Sequence, residues 1–378
     1  MINVLINDLD HNKLVIRDST VARIKYWQQK NCKISILTSI EGQKFYSNFF
    51  KNINFLIIEK TKFTTSKFSF IFESLKRNFL ALKFINKNKN QFDVIFSISS
   101  VLDLTIFPYI LKTINNNVIW CSILDNIVPL NDPGNKIIRL LAWIFFKISI
   151  LMLRKADVIF TISPELKKYL IDHNFNPSKL TITGNAIDID LIKATKNQKY
   201  VYEALFIGRI NETKGIFDMV GVVNKVKKEI PNFKLAIIGN GDSSTMMKFL
   251  NEIKTLKLSK NIILLGTKIG LEKFSIIKSS KIFLFLSKSQ SESFGIALLE
   301  AVSSGLPAFV YDLPAYKNIY KNNEVNIFKI GDTSSVAKAI INTFKNKQFE
   351  NKNGKKLLGK YSWEKIAKIE YDAFYKLL

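Results

Sequence analysis

The chain has 378 residues, 47% of them hydrophobic, with two cysteines, two histidines and a formal charge of +25. That length and apolar content provide for two folded cores and exclude a disordered protein; two cysteines exclude a disulfide scaffold, and two histidines argue against a His-based metal site. The basic excess is spread over both halves instead of forming a tail, so it reads as compositional bias or as a polyanion-facing surface, and nucleic acid is not the expected partner.

The opening residues, MINVLINDLD, lack a basic leader and a cleavable apolar run. They predict no export signal and a cytoplasmic protein whose thiols stay reduced. Short apolar runs then alternate with helical stretches, as parallel βαβ construction requires. Strands are expected at 2–6, 33–39, 54–59, 93–99, 117–123, 157–163 and 179–184. Helices are expected near 18–30, 67–87, 101–113, 135–154 and 164–173, with Asp18, Ser19 and Thr20 suited to cap the first. From Lys60 to Lys89 eight basic residues accompany one acid, Glu73, and six phenylalanines, among them Phe79 and Phe84, are interleaved. Such a segment suits an anionic lipid surface or single-stranded nucleic acid. The run LLAWIFFKISILML (140–153) is too short to span a bilayer and contains Lys147, so a core helix is preferred to a membrane-dipping one.

The segment 184–200, GNAIDIDLIKATKNQKY, joins a turn-forming Gly-Asn to a polar stretch and marks a domain boundary. The expected domains are 1–198 and 199–360, followed by an amphipathic helix over 361–378. Strands of the second half are expected at 202–208, 233–239, 261–266, 281–287, 307–312 and 325–330, with the clearest helix over 216–230.

Two motifs of that half carry chemistry. GRINETKG (208–215) follows a buried strand and places Arg209 and Lys214 in a loop that opens a helix. Fixed cations there stabilise a departing diphosphate as its charge grows: Arg209 holds two phosphate oxygens at once, and Lys214 acts as a point charge. SESFGIALLEAVSSGLP (291–307) also follows a buried strand, turns through Gly295 and opens a helix ending near Gly305. Free N–H groups and the helix dipole make that turn an anion site. Glu292 stands in the loop, and Glu300 lies about 7.5 Å along the helix at 1.5 Å per residue. A phosphate flanked by two carboxylates that face neutral hydroxyls describes a nucleotide sugar.

These two motifs resemble those of retaining glycosyltransferase family 4, also called glycosyl transferases group 1. The shared features are the E-x7-E spacing with its Phe-Gly pair, the A-x-x-S-G-L-P tail and the G-R-x-x-x-x-K-G loop. The resemblance implies an α/β fold of the GT-B type, with two Rossmann-like doubly wound domains facing across a cleft and a last helix returning to the first domain. It implies a metal-independent, retaining transfer of a sugar from a nucleotide-diphosphate sugar, with no cofactor. Arg209 and Lys214 would take the leaving group, Glu292 the sugar hydroxyls and Glu300 the ribose. Backbone near Gly208, Phe294 and Gly295 would meet sugar and diphosphate, and Thr267 and Lys268 the nucleobase. Gly239 and Gly241 match another landmark of the family. The first domain would take a glycan or lipid-linked acceptor. It departs from the pattern, having NDLDHNKLVIRDS where relatives carry a Gly-rich loop and Leu124-Asp125 where they carry His-Asp. Asp125 therefore stands as a polar contact or proton acceptor for the incoming hydroxyl, or as a local turn residue, and His11 as a surface histidine. A place on the inner face of the membrane, reached through 60–89, completes the expectation. Two alternatives stay open: a GT-B nucleotide-sugar epimerase, which needs no acceptor, and a non-catalytic polyanion- or membrane-binding protein.

Overall fold

Strands covered on both faces need nearly continuous apolar runs, and the runs above become two parallel sheets. The computed structural model describes residues 1–9, 18–58, 76–85, 90–130, 136–196, 198–289, 292 and 294–378, leaving aside the side chains of Asp18 and Asn318. The chain forms two compact units, Met1–Asn185 with Trp363–Leu378, and Ala186–Ser362. The division falls at the start of the segment 184–200 and ahead of the limit placed at 198: Asp188 caps the helix Ile189–Ala194, which lies in the second unit.

The first unit carries β1 (Ile2–Asp8), β2 (Cys32–Ser39), β3 (Asn54–Ile58), β4 (Val94–Ser97), β5 (Ile119–Leu124), β6 (Val158–Thr161) and β7 (Leu180–Ile182). They lie in the order β3-β2-β1-β4-β5-β6-β7. The second carries β8 (Tyr202–Ile207), β9 (Leu235–Ile238), β10 (Ile262–Gly266), β11 (Ser280–Phe285), β12 (Ala308–Tyr311) and β13 (Asn326–Phe328), ordered β10-β9-β8-β11-β12-β13. Both are doubly wound parallel sheets.

The helix Trp363–Tyr375 belongs to the first unit, where it packs on the helix Asp18–Gln29. Trp27, fully buried, donates its indole N–H to the Ala367 carbonyl at 3.0 Å, and Phe374 meets its ring edge-on at 5.4 Å. Beside it, Arg23 donates to both carboxylate oxygens of Glu370, at 2.7 and 2.8 Å, and both residues are buried. Burial pushes the Glu370 carboxyl up, and the Arg23 guanidinium opposes that shift. Glu370→Ala should lower stability by about 3–5 kcal/mol in urea denaturation, because it strands a buried guanidinium. Replacing both partners by apolar residues should recover most of the loss. A single-variant cost under ~1 kcal/mol would show that the pair does not hold this helix.

Several expectations change. Among the described residues Asp18, Ser19 and Thr20 already lie within the helix Asp18–Gln29, not ahead of it as a cap. Of the segment 60–89 only 76–85 are described, with residues 76–82 helical. Phe79 is 66% exposed, whereas Arg77 is buried and pairs with Asp103, so that cation is not part of a surface. His11 lies outside the described residues. The helix Lys136–Leu153 buries only Phe146, Ser149, Ile150 and Leu153; much of the rest of its apolar sequence faces solvent. Cys32 and Cys121 are free and buried.

Candidate active site in the second unit

Strand order in the second unit reverses at β8, which lies between β9 and β11. The chain leaves β8 toward one arm of the sheet and leaves β11 toward the other. The loops after these two strands therefore part at the carboxyl edge, where open α/β sheets bind ligands. Both motifs fall in these loops.

Backbone contacts fasten the loop after β8. The Gly208 N–H donates to Ile238 O at 3.0 Å, the Ile210 N–H to Asn240 O at 2.9 Å, and the Gly239 N–H to Gly266 O at 2.9 Å. A Cβ on Gly239 would fall 1.9 Å from Gly208 O, so the ends of β8 and β9 can approach only through a glycine. Asn211 then accepts from the Lys214 N–H at 2.9 Å and folds Glu212–Lys214 into one 3₁₀ turn. Gly215 follows at φ 71°, where a Cβ would lie 1.8 Å from Leu286 O. The loops after β8 and β11 thus touch backbone to backbone, and the Lys288 N–H adds a bond to Thr213 O at 2.8 Å.

That contact delivers Lys214 to Glu292. Its ammonium donates to Glu292 Oε2 and lies 5.5 Å from the centre of the Phe285 ring. Both side chains are largely covered, 18% and 10% exposed. The Ser287 hydroxyl donates to the same oxygen at 3.2 Å. Arg209, by contrast, is exposed and has no hydrogen bond or ion pair among the described residues. One cation of the loop is neutralised by a carboxylate, and the other is uncommitted among the described residues.

Downstream, Phe294 is buried with its ring edge-on to Tyr361 at 5.5 Å, and Gly295, at φ 70°, opens the helix Ile296–Ser303. Glu300 lies on that helix, 7% exposed, and accepts from Lys273 Nζ at 2.6 Å. Lys273 comes from the helix Gly270–Lys278, so two helices meet at this carboxylate. Thr267 accepts from Asn240 Nδ2 at 3.1 Å, and Lys268 pairs with Glu272 at 2.5 Å. Tyr316, fully buried, approaches Gly295: its Cε1 would be 3.4 Å from a Cβ placed there. Burial and then the nearby Glu292 charge push its hydroxyl well above the usual range.

Lys273 and Ser287 are contributors that the motifs did not reveal, as are Lys288 and Asp218. Lys288 Nζ donates to Asp218 at 2.7 Å, and the Tyr311 hydroxyl donates to its other oxygen at 2.7 Å. Burial, followed by Asp218, drives the Tyr311 hydroxyl up. The arrangement secures the loop after β11 to the helix Ile216–Val226 and to β12. Asp125 belongs to the first unit, at the end of β5, where Ser99 in the loop after β4 donates to its Oδ2 at 3.1 Å. It thus stands beside that sheet's own strand reversal at β1 and β4.

Comparison with known proteins agrees with this geometry. Residues 189–357 match the family model of glycosyl transferases group 1. An uncharacterized glycosyltransferase of Methanocaldococcus jannaschii is 29% identical over 262 residues, covering 64% of this chain and 60% of that protein. A poly(glycerol-phosphate) alpha-glucosyltransferase of Bacillus subtilis is 31% identical over 192 residues, 48% of this chain and 27% of the relative. The chain therefore aligns with less than two thirds of the length of either relative. Among solved structures, Anabaena HepE in complex with UDP-glucose superposes with a TM-score of 0.75 at 12% identity, covering 100% of this chain and 99% of that one. The fold is GT-B, and residues 189–357 are the part of the chain that is similar to glycosyl transferases group 1.

Proposed function

We propose that this chain is a retaining, metal-independent glycosyltransferase of family 4 that moves a hexose from a nucleotide-diphosphate sugar to a glycan or lipid-linked acceptor. The observation that carries this reading is the meeting of Lys214, Glu292 and Ser287 where the loops after β8 and β11 touch. The donor diphosphate takes Arg209 at once and draws Lys214 away from Glu292, so that two cations meet the charge that grows as the glycosidic bond breaks. Glu292, released, holds hydroxyls of the sugar. Glu300, steadied by Lys273, accepts from the ribose hydroxyls. Backbone at Gly208, Phe294 and Gly295 lines the sugar and diphosphate, and Thr267 and Lys268 stand toward the base.

In this reading the acceptor hydroxyl attacks the anomeric carbon from the face the diphosphate leaves, which retains configuration, and Asp125 is the polar contact for that hydroxyl. The two glutamates position the donor and are not an acid and base pair of the hydrolytic kind. HepE has been solved with UDP-glucose and the Bacillus relative is named a poly(glycerol-phosphate) alpha-glucosyltransferase, which together favour a uridine donor and a polymeric acceptor; that suits cell-surface polysaccharide or glycolipid assembly. A lipid-linked acceptor suits an enzyme on the inner face of the membrane, with Lys76, Phe79 and Lys83 the exposed residues in the described part of the basic 60–89 segment.

Nucleotide-diphosphate sugars should raise the melting temperature of the protein, and the stabilising donor should be consumed only when acceptor-bearing lipid or glycan extract is added. Turnover should survive chelation. Product formed from donor alone would favour the epimerase alternative, and abolition by chelator would overturn the two-cation argument. Polyanion binding without any donor effect would leave a non-catalytic binding protein.

A further inference from the structure

The helix Lys136–Leu153 carries its apolar residues on two opposite sides. Phe146, Ile150 and Leu153 are buried, whereas Ile137, Leu140, Ile144, Ile148 and Leu151 are 68%, 46%, 37%, 36% and 63% exposed. At 3.6 residues per turn those five fall within an arc of about 80°, so they make one continuous stripe along roughly 21 Å of helix. An ordinary surface helix presents polar residues there. Scattered exposed aliphatics need no explanation, but a continuous apolar stripe does.

The charges around the stripe say what covers it. From residue 133 to residue 156 there is no aspartate or glutamate, and the basic residues are Lys136, Arg139, Lys147, Arg154 and Lys155. Lys136, Arg154 and Lys155 are exposed at the two ends of the helix. Trp143, half-buried on the flank, has the Lys147 ammonium 5.6 Å from its ring centre. No helix among the described residues is long and apolar enough to cross a membrane, and this one holds three cations within its span. An apolar stripe with a basic flank and an interfacial aromatic is the pattern of a helix lying in the plane of the headgroups. A second copy of the chain would set the same cations against one another, which disfavours self-association through this face.

We infer that the helix Lys136–Leu153 docks on an anionic lipid bilayer, with Ile137, Leu140, Ile144, Ile148 and Leu151 inserted among the acyl chains and the flanking cations on the headgroups. This inference stands on the exposed stripe and its charges, and does not depend on the donor assignments. It does add to them. The chain leaves β5 at Leu124, passes Asp125 and enters this helix at Lys136. Docking would then fix the first unit to the bilayer eleven positions along the chain from the proposed acceptor contact, which suits an acceptor anchored by a lipid.

The test uses the full chain and vesicles of phosphatidylcholine with or without phosphatidylglycerol. The protein should sediment with the anionic vesicles and only weakly with the neutral ones, and added salt should weaken binding. Ile144→Glu with Ile148→Glu should reduce partitioning on the order of tenfold or more, because both residues are exposed and their charge would have to enter the acyl region. Stabilisation by nucleotide sugars should be unchanged in that variant, so failure here and failure of the donor site are separable. A polarity-sensitive dye on Ile144→Cys should shift to the blue on anionic vesicles. The native thiols will not compete: Cys32 and Cys121 are 6% and 0% exposed, and burial pushes the Cys32 thiol up to about 11. Equal vesicle binding by the double variant, or no dye shift, would overturn the inference. So would a dimer of the parent protein that the double variant dissolves, since the stripe would then be an interface between copies.

Discussion

Arg209→Ala should lower turnover on the order of 10²- to 10³-fold while leaving the melting temperature unchanged. The two halves of this expectation have separate sources. Arg209 is exposed and makes no hydrogen bond or ion pair among the described residues, so its removal strands nothing in the resting protein. Surface changes of that kind stay within about 0.5 kcal/mol. Its proposed role arises only when charge accumulates on the departing diphosphate, where loss of one fixed donor typically costs about 2.7–4 kcal/mol. Arg209→Lys should recover only part of the rate, because an ammonium cannot hold two phosphate oxygens in one plane. Steady-state kinetics with the donor found by thermal shift, beside melting curves of all three proteins, makes the check. Full activity in Arg209→Ala would remove this residue from the site.

Glu292→Gln should cost a similar 10²- to 10³-fold in turnover, and its effect on product binding separates two roles. Glu292 neutralises Lys214 inside a contact that is mostly closed to water. The amide removes that competitor, so the nucleoside diphosphate product should bind the variant at least as tightly as the parent. Sugar hydroxyls lose a charged acceptor at the same time, and charge-assisted bonds are roughly twice as strong as neutral ones. Turnover therefore falls through the sugar while diphosphate affinity holds or rises. If the carboxylate served only to neutralise Lys214, turnover would be spared and product affinity alone would change. Isothermal titration of the nucleotide, alongside donor kinetics, distinguishes these outcomes.

The strands were the most legible part of the sequence. Each of the thirteen runs read as a strand overlaps one in the structure, because strands buried on both faces cannot interrupt their apolar sequence. Arg209, Lys214, Glu292 and Glu300 were legible for a different reason: each lies at a short fixed distance from a glycine turn that follows a strand. Lys273 was not. It meets Glu300 through the packing of two helices 27 positions apart, and no local spacing encodes that contact. Lys288, Asp218 and Tyr311 are joined in the same way, across 70 and 93 positions. Arg77 misled for the converse reason, since a basic run gives no sign that one member turns inward to an aspartate on another helix. The run 140–153 gave its helix correctly but not its exposure. Hydrophobicity all round a helix is compatible with a core or with a lipid surface, and only the packing of its neighbours decides.

The return of Trp363–Tyr375 to the first unit has a consequence for how the protein is made. Residues 1–185 are synthesised long before that helix, so the first unit waits for its closing piece until the whole second unit has been made. During that interval Trp27 and the Arg23 guanidinium stand uncovered. A released chain truncated after residue 362 should accordingly carry one complete lobe and one with an uncovered apolar face. Any attempt to express the first lobe separately must splice 363–378 back onto it.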